Sequence, residues 1–168
     1  MIYENGFPLL PACAALVSLT LCAPEVLARN TMNTFPIQDV IELGKAGGQL
    51  SDDIALYFGN QTTPPVEATL SRGVVTNKKT NSVNKSDMEA CNWTMLSALV
   101  ALQDRARKDG GNAVINIKSY YKQKVFENRD QYECAGGSLM NGVALIGDVV
   151  RLKQGKQAKQ EKGKQGKR

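Results

Sequence analysis

The 168-residue chain contains no histidine, so it lacks the side chain that most often serves as a general base or a metal ligand. The phosphate-loop pattern G-x-x-x-x-G-K-[ST] is also absent, which argues against nucleotide hydrolysis. Only two of the four cysteines lie beyond residue 28, too few for a four-ligand zinc site. We therefore expect no catalytic residues, no bound metal and no cofactor.

No apolar run is long enough for a membrane-spanning helix, since the longest, residues 9–23, falls short of the about 20 residues required. The run is typical of a secretory signal, and Val26-Leu27-Ala28 supplies a small-x-small cleavage pattern. Glu4 precedes the run without any Lys or Arg, which is unusual for a signal, and a buried N-terminal helix is the alternative. We predict a signal peptide over residues 1–28, cleavage after Ala28, and a periplasmic or secreted mature protein without a transmembrane span.

Charge is distributed unevenly along the chain. Residues 29–150 carry 13 Lys/Arg and 13 Asp/Glu, whereas residues 151–168 carry eight basic residues and one acid, Glu161. Residues 153–168 form a Lys/Gln/Gly tract that we predict to be disordered and solubilising. An alternative is an accessory protein that binds an anionic polymer through this tail. No specific nucleic-acid contact is expected there, because the tail has no aromatic residue on which bases could stack.

Cys91 and Cys134 remain once the predicted signal is removed. Two cysteines in an exported domain most simply form a disulfide, and a pair of buried free thiols is the alternative. In the chain-entropy model, a crosslink over 43 positions stabilises a fold by about 4 kcal/mol.

The hydrophobic pattern between the two ends predicts one α+β domain over residues 29–152. A short helix is predicted from Thr34-Phe35-Pro36 to Leu43, ending at Gly44, and a long helix from a Ser86–Glu89 capping box to about Lys108. Strands are predicted at residues 54–58, 66–76, 113–122, 132–136 and 143–152. We expect a small, mostly antiparallel sheet with the one long helix packed on one face through an apolar stripe: Met88, Cys91, Met95, Leu99, Leu102 and Ala106.

Gly110 and Gly111 follow the long helix and precede a strand. This order decides whether the pair forms a phosphate-binding loop or a structural turn. A phosphate-binding loop has the opposite polarity, because its glycines lead into the N-terminus of a helix. We therefore predict a structural turn at Gly110, Gly111 and Asn112, with a left-handed residue at the end of the helix.

The strand after this turn provides the candidate site. Strict alternation would place Ile115 and Ile117 on one face, and Asn116, Lys118 and Tyr120 on the other. The second face is a possible binding surface, although an ordinary solvated face is the alternative.

Two further sets of residues invite functional interpretations that core packing explains better. Trp93 is interpreted as a packing residue rather than a platform for ligand stacking. Met88, Met95 and Met140 are interpreted as core filling rather than as soft ligands for copper.

Residues 76–152 resemble a family of small exported bacterial proteins that are often labelled excinuclease ATPase subunits. The resemblance lies in the segment containing Cys91 and Trp93, in GGNAV at 110–114 with the following NI and SYY, and in YEC at 132–134. A more distant resemblance is to the YbjQ-type domain and to the disulfide-bonded domain of the Rcs outer-membrane stress sensor. These resemblances imply a small α/β sandwich and favour pairing of Cys91 with Cys134, and they imply no reaction. This chain lacks the lipid anchor and the additional cysteines of the sensor, so the sensing role is not transferred.

These features predict a non-enzymatic exported protein with a structural or binding role in the cell envelope. Its expected partner is an envelope protein or an anionic polymer. The alternative function is a small enzyme that uses carboxylate or lysine chemistry in a cleft near Lys118, Tyr120 and Asp148.

Overall fold

The computed structural model of the protein describes residues 29–153. The predicted signal peptide and residues 154–168 of the predicted tail lie outside these residues. Six strands and two α-helices make up the described part of the chain: β1 (Asn30–Pro36), α1 (Ile37–Ala46), β2 (Ala55–Phe58), β3 (Val66–Asn81), α2 (Asp87–Asp109), β4 (Ala113–Ser119), a 3-10 turn (Tyr121–Gln123), β5 (Gln131–Gly137) and β6 (Met140–Leu152).

All six strands belong to one curled sheet whose central member is β6. One edge of β6 pairs with β3 along its length, and the other edge pairs with both β4 and β5. β1 continues the sheet from β5, and β2 continues it from β4. The fold is α+β as predicted, but the sheet is mixed because β2 and β4 are parallel, and α1 adds a second helix to the long one.

The N-terminal strand β1 was not expected from the sequence. Thr34, Phe35 and Pro36 were predicted to begin a helix, yet they are the last residues of β1 and pair with β5. Proline is tolerated here because β1 lies at an edge of the sheet, where a missing N–H breaks no ladder. The helix α1 begins at Ile37, directly after β1, and ends at Ala46. It therefore continues past Gly44, where the sequence predicted its end. A Cβ at Gly44 would approach Leu96 Cδ1 to 2.6 Å, so this glycine permits close packing of α1 on α2.

The long helix α2 begins as predicted, since Ser86 Oγ accepts a hydrogen bond from the Glu89 N–H at 3.1 Å. Its apolar stripe is buried against the sheet from Cys91 to Ala106. Two expectations for this helix were wrong: Met88 is 52% exposed in the first turn, and Trp93 is 43% exposed. Met140, at the start of β6, is also exposed and does not fill the core. Trp93 follows Cys91 by two residues, which is about 200° of rotation on a helix, and so lies on the opposite side.

The predicted disulfide joins Cys91 of α2 to Cys134 of β5, with the two Cα atoms 5.9 Å apart. Both cysteines are fully buried in the main hydrophobic core between α2 and the sheet. Within residues 29–153, neither helix combines the length and the hydropathy that crossing a membrane requires.

The strand β4 ends earlier than predicted and contains a bulge. Its register with β6 shifts between Ile115 and Lys118, and Asn116 has a φ of +54°. Ile117 lies in the main core beneath α2, whereas Ile115 packs on a smaller cluster that includes Val150. The prediction that Ile115 and Ile117 share a face is therefore wrong, because an extra residue in a strand reverses the side of every residue after it.

Candidate ligand-binding groove

Most of the residues predicted to form a binding face or a cleft make contacts within the protein. Asp148 accepts hydrogen bonds from the Gly73 N–H at 2.8 Å and from Asn116 Nδ2 at 2.9 Å, so its carboxylate joins the bulges of β3 and β4. Lys118 Nζ forms a 2.7 Å ion pair with Glu127. Tyr120, which follows β4, donates its backbone N–H to Ala144 of β6. A binding or catalytic role for these residues stays a prediction.

The turn between α2 and β4 has a left-handed residue at the helix end. Gly110 has a φ of +76°, and its N–H is directed at the carbonyl of Arg107. Asn112 bonds the backbone of Leu152 through both side-chain atoms, at 2.7 and 3.0 Å. The turn therefore anchors the last strand to the end of the helix.

A groove with a volume of about 470 Å³ lies between α1 and β2. This volume falls within the range of about 300–1,000 Å³ that is usual for ligand sites. One wall is formed by Ile37, Ile41 and Lys45 of α1, whose four-residue spacing places them on one side of the helix. The other wall is β2 with the chain that leads into it from Leu50.

The backbone of β2 presents a sheet edge to this groove. β2 pairs with β4 and with no other strand of the described residues. The N–H groups of Ala55 and Gly59 point to the β4 side, donating to Asn112 at 3.0 Å and Ile117 at 2.9 Å. Because polar groups alternate in direction along a strand, those of Ile54, Leu56 and Phe58 face the groove.

Two glutamines occupy the ends of this exposed edge. Gln103 of α2, which is 2% exposed, donates through Nε2 to the Ile54 carbonyl at 2.9 Å. Gln61 accepts the Phe58 N–H through Oε1 at 2.8 Å. The N–H and C=O of Leu56 lie between these two caps, and by the same alternation they are directed into the groove.

The chain that enters β2 is fixed to α2. Gln103 also bonds the backbone of Ser51, through Nε2 at 2.9 Å and Oε1 at 3.3 Å. Arg107 contacts both carboxylate oxygens of Asp53, at 2.8 and 2.9 Å, and the hydroxyl of Ser51 at 2.6 Å. The hydrogen bond from Arg107 lowers the pKa of Asp53 to about 2, and the same contact raises the pKa of Arg107. This wall of the groove is therefore held by satisfied polar contacts.

The charged residues of the groove sum to zero. Lys45 and Asp52, near the C-terminal end of α1, form an ion pair of 3.0 Å. Arg129 and Asp130 line the other end, where the Asp130 carbonyl accepts the N–H of Ile37. Among the described residues, no group of three or more Cys, Asp or Glu side chains could hold a metal ion. The groove thus offers walls of mixed apolar and polar surface, balanced charges and one open backbone position.

Sequence analysis did not identify the groove residues Gln61, Gln103 and Arg129. Gln103 carries a usable signal, because it follows Leu99 by four residues and is a polar side chain on the buried side of an apolar stripe. Gln61 and Arg129 lie in polar connecting segments, where nothing local separates them from solvated loop residues.

No protein-family model, curated protein or solved structure matches this chain. The resemblance to exported proteins labelled as excinuclease subunits therefore stays an expectation. The function has to be inferred from the residues of the chain itself.

Proposed function

We propose that the protein is an exported, disulfide-stabilised binding domain of the cell envelope, and that its ligand occupies the groove between α1 and β2. The observation that carries the proposal is the groove itself: helix and strand walls of mixed apolar and polar surface, a buried glutamine that fixes one wall, and charged residues at both ends. Concave apolar sites with a few convergent polar groups are the usual location of ligands in proteins.

Export is supported by the disulfide and by the signal-like N-terminal sequence. Disulfides persist in secreted and periplasmic proteins and are rare where thiols are kept reduced. Mass spectrometry of the natively expressed protein from an envelope fraction should give an N-terminus at Arg29 and a mass that excludes free thiols at Cys91 and Cys134. A reduced, uncleaved protein in the cytosol would contradict export.

The carboxyl of Asp53, which lies beside the groove, does not have the properties of a general base. A general base needs a pKa near the working pH, and a carboxylate usually reaches that range through burial. The pKa of Asp53 is lowered instead, because Arg107 stabilises the ionised form of its carboxyl. It therefore acts as a fixed structural anion.

The proposal is tested with the neutral dye Nile red and a matched pair of charge substitutions. Ile41→Lys places a cation in the wall of the groove, whereas Leu43→Lys places one on the same helix at an exposed position outside it. We expect dye fluorescence to fall at least fivefold in Ile41→Lys and to be retained in Leu43→Lys. Equal dye binding in both variants would contradict the proposal. A third variant, Trp93→Lys, removes an exposed aromatic side chain of α2. Loss of dye binding in that variant alone would place the apolar site elsewhere and would also contradict the proposal.

A further inference from the structure

We infer that the groove binds an extended peptide segment without net charge, which adds to β2 as a further strand through the backbone of Leu56. This inference rests on the proposed binding function and specifies the class of ligand. Strand addition to an exposed sheet edge is a general mode of peptide recognition, in which main-chain hydrogen bonds hold the ligand and pockets select alternate side chains.

The hydrogen bonds along β2 locate the pairing position. Gln103 already satisfies the carbonyl of Ile54, and Gln61 satisfies both backbone groups of Phe58. These are the groove-facing residues on either side of Leu56. A ligand strand would therefore exchange one pair of hydrogen bonds with Leu56, and the two glutamine amides would border it. Sheet edges are commonly blunted against uncontrolled pairing, and caps at both ends confine any added strand to a short segment.

The opposite wall fits the side chains of an extended peptide. Side chains of a strand project alternately to two sides, so every second side chain of the ligand would lie in the groove between β2 and α1. Ile37 and Ile41 form that wall and Leu56 lies across from them. Apolar, β-branched side chains at alternate positions are the chemistry that this surface accepts.

The balance of charge selects among possible occupants. The pair Lys45–Asp52 is internally neutralised, and the neighbouring Arg129 and Asp130 contribute one charge of each sign. A site with this balance gives no electrostatic advantage to an anionic polymer or to the lysine-rich residues 154–168 of the chain. A segment without net charge is therefore the occupant that the groove favours.

The test uses the full-length oxidised chain and the peptide acetyl-Thr-Val-Thr-Val-Thr-amide, which has no charge. Two further versions carry N-methyl groups, one on both valine amides and the other on the three threonine amides. Binding is followed by amide shifts in NMR spectra at millimolar peptide. Because alternate amides of a bound strand face β2, we expect one N-methylated version to bind at least tenfold more weakly than the parent and the other to bind like it.

The site is mapped in the same titration. Leu56 should show the largest amide shift and slower exchange with solvent, Ile41→Lys should abolish binding, and Leu43→Lys should leave it unchanged. Equal binding of both N-methylated versions, or no binding of the parent peptide, would overturn strand addition. If Nile red still reports the groove in that case, the proposed binding function stands while the peptide inference fails.

Two other occupants are distinguished without added ligand. Sedimentation of the free protein should give a monomer, and a dimer that Ile41→Lys dissociates would assign the groove to a second copy. The Leu56 amide should exchange freely in the free full-length chain. Protection of this amide before peptide is added would assign the groove to another segment of the same chain. Either result would overturn the inference.

Discussion

The two branches of the sheet that leave β6 are held to α2 by different kinds of interaction. One branch consists of β5 and β1. It is attached by the Cys91–Cys134 disulfide and by Tyr132, whose buried hydroxyl donates to Asn92 Oδ1 at 2.8 Å. In the other branch, formed by β4 and β2, the chain that enters β2 is attached by Gln103 and by the Arg107–Asp53 pair, without a disulfide. One branch is thus crosslinked to α2, whereas the other ends in β2, whose free edge lies beside α1.

The difference shows how a small domain can combine a crosslinked core with an open strand edge. The disulfide limits the conformations of the unfolded chain without occupying any backbone hydrogen-bonding group of the sheet edge. Burial raises the pKa of Tyr132, so its hydroxyl stays protonated and remains a donor. Three predictions probe the contacts that hold the fold together, beginning with the largest expected effect.

Removal of the disulfide should destabilise the whole fold while leaving the groove intact in the folded protein. For the double variant Cys91→Ser/Cys134→Ser we expect a loss of about 4 kcal/mol in the free energy of unfolding, measured with urea under oxidising conditions. Reductant should bring the parent protein to the stability of the variant. Loss of Nile red binding in a variant that is still folded would contradict the separation of the two branches.

Adding one methyl group at two glycines should separate a packed position from an open one. A Cβ at Gly111 would lie 2.7 Å from Val149 Cγ1 and 2.9 Å from the Val150 carbonyl, so Gly111→Ala should cost about 1–3 kcal/mol through overpacking. Gly48, beside α1, has a φ of +66° and no heavy atom within 4 Å of its Cβ position. Gly48→Ala should cost about 1 kcal/mol, from backbone strain alone. Thermal unfolding would contradict this comparison if Gly48→Ala were the more destabilised variant.

The ion pair that fixes the entry to β2 should give a small dependence of stability on pH. The pKa of Asp53 is lowered in the folded protein to about 2 from an ordinary value of 3.8, so its contribution is complete above about pH 4. It is lost as the pH falls through 4 towards 2. Asp53→Asn should flatten the stability profile in this interval, and Arg107→Gln should have the same effect.

A double-variant cycle provides the control for the pH prediction. Because Asp53 and Arg107 act on each other, combining the two substitutions should flatten the profile no further than either one does. Additive changes would show that the groups act independently and that the loop is held in another way.

Local patterns in the sequence predicted the elements whose structure depends on residues close to one another in the chain. The Ser86 cap, the stripe of α2 and the apolar strand β6 are of this kind, and the pairing of Cys91 with Cys134 followed from compartment and count. The α+β class followed from the order of these elements.

Features that depend on distant partners could not be predicted in this way. β1 exists because residues 30–36 pair with residues 131–137, about a hundred positions away. Gly44 signals a helix end in isolation, and only the approach of Leu96 shows that it is a contact point. The bulge at Asn116 likewise results from how β4 meets β6.

The position of β6 has a consequence for how the chain reaches its native state. β6 unites β3, β4 and β5, and it follows all of them in the sequence. During synthesis β3, β4 and β5 therefore lack the strand that joins them, and these long-range pairings form slowly once β6 arrives. The connected sheet is therefore complete only after the last of its strands has been synthesised.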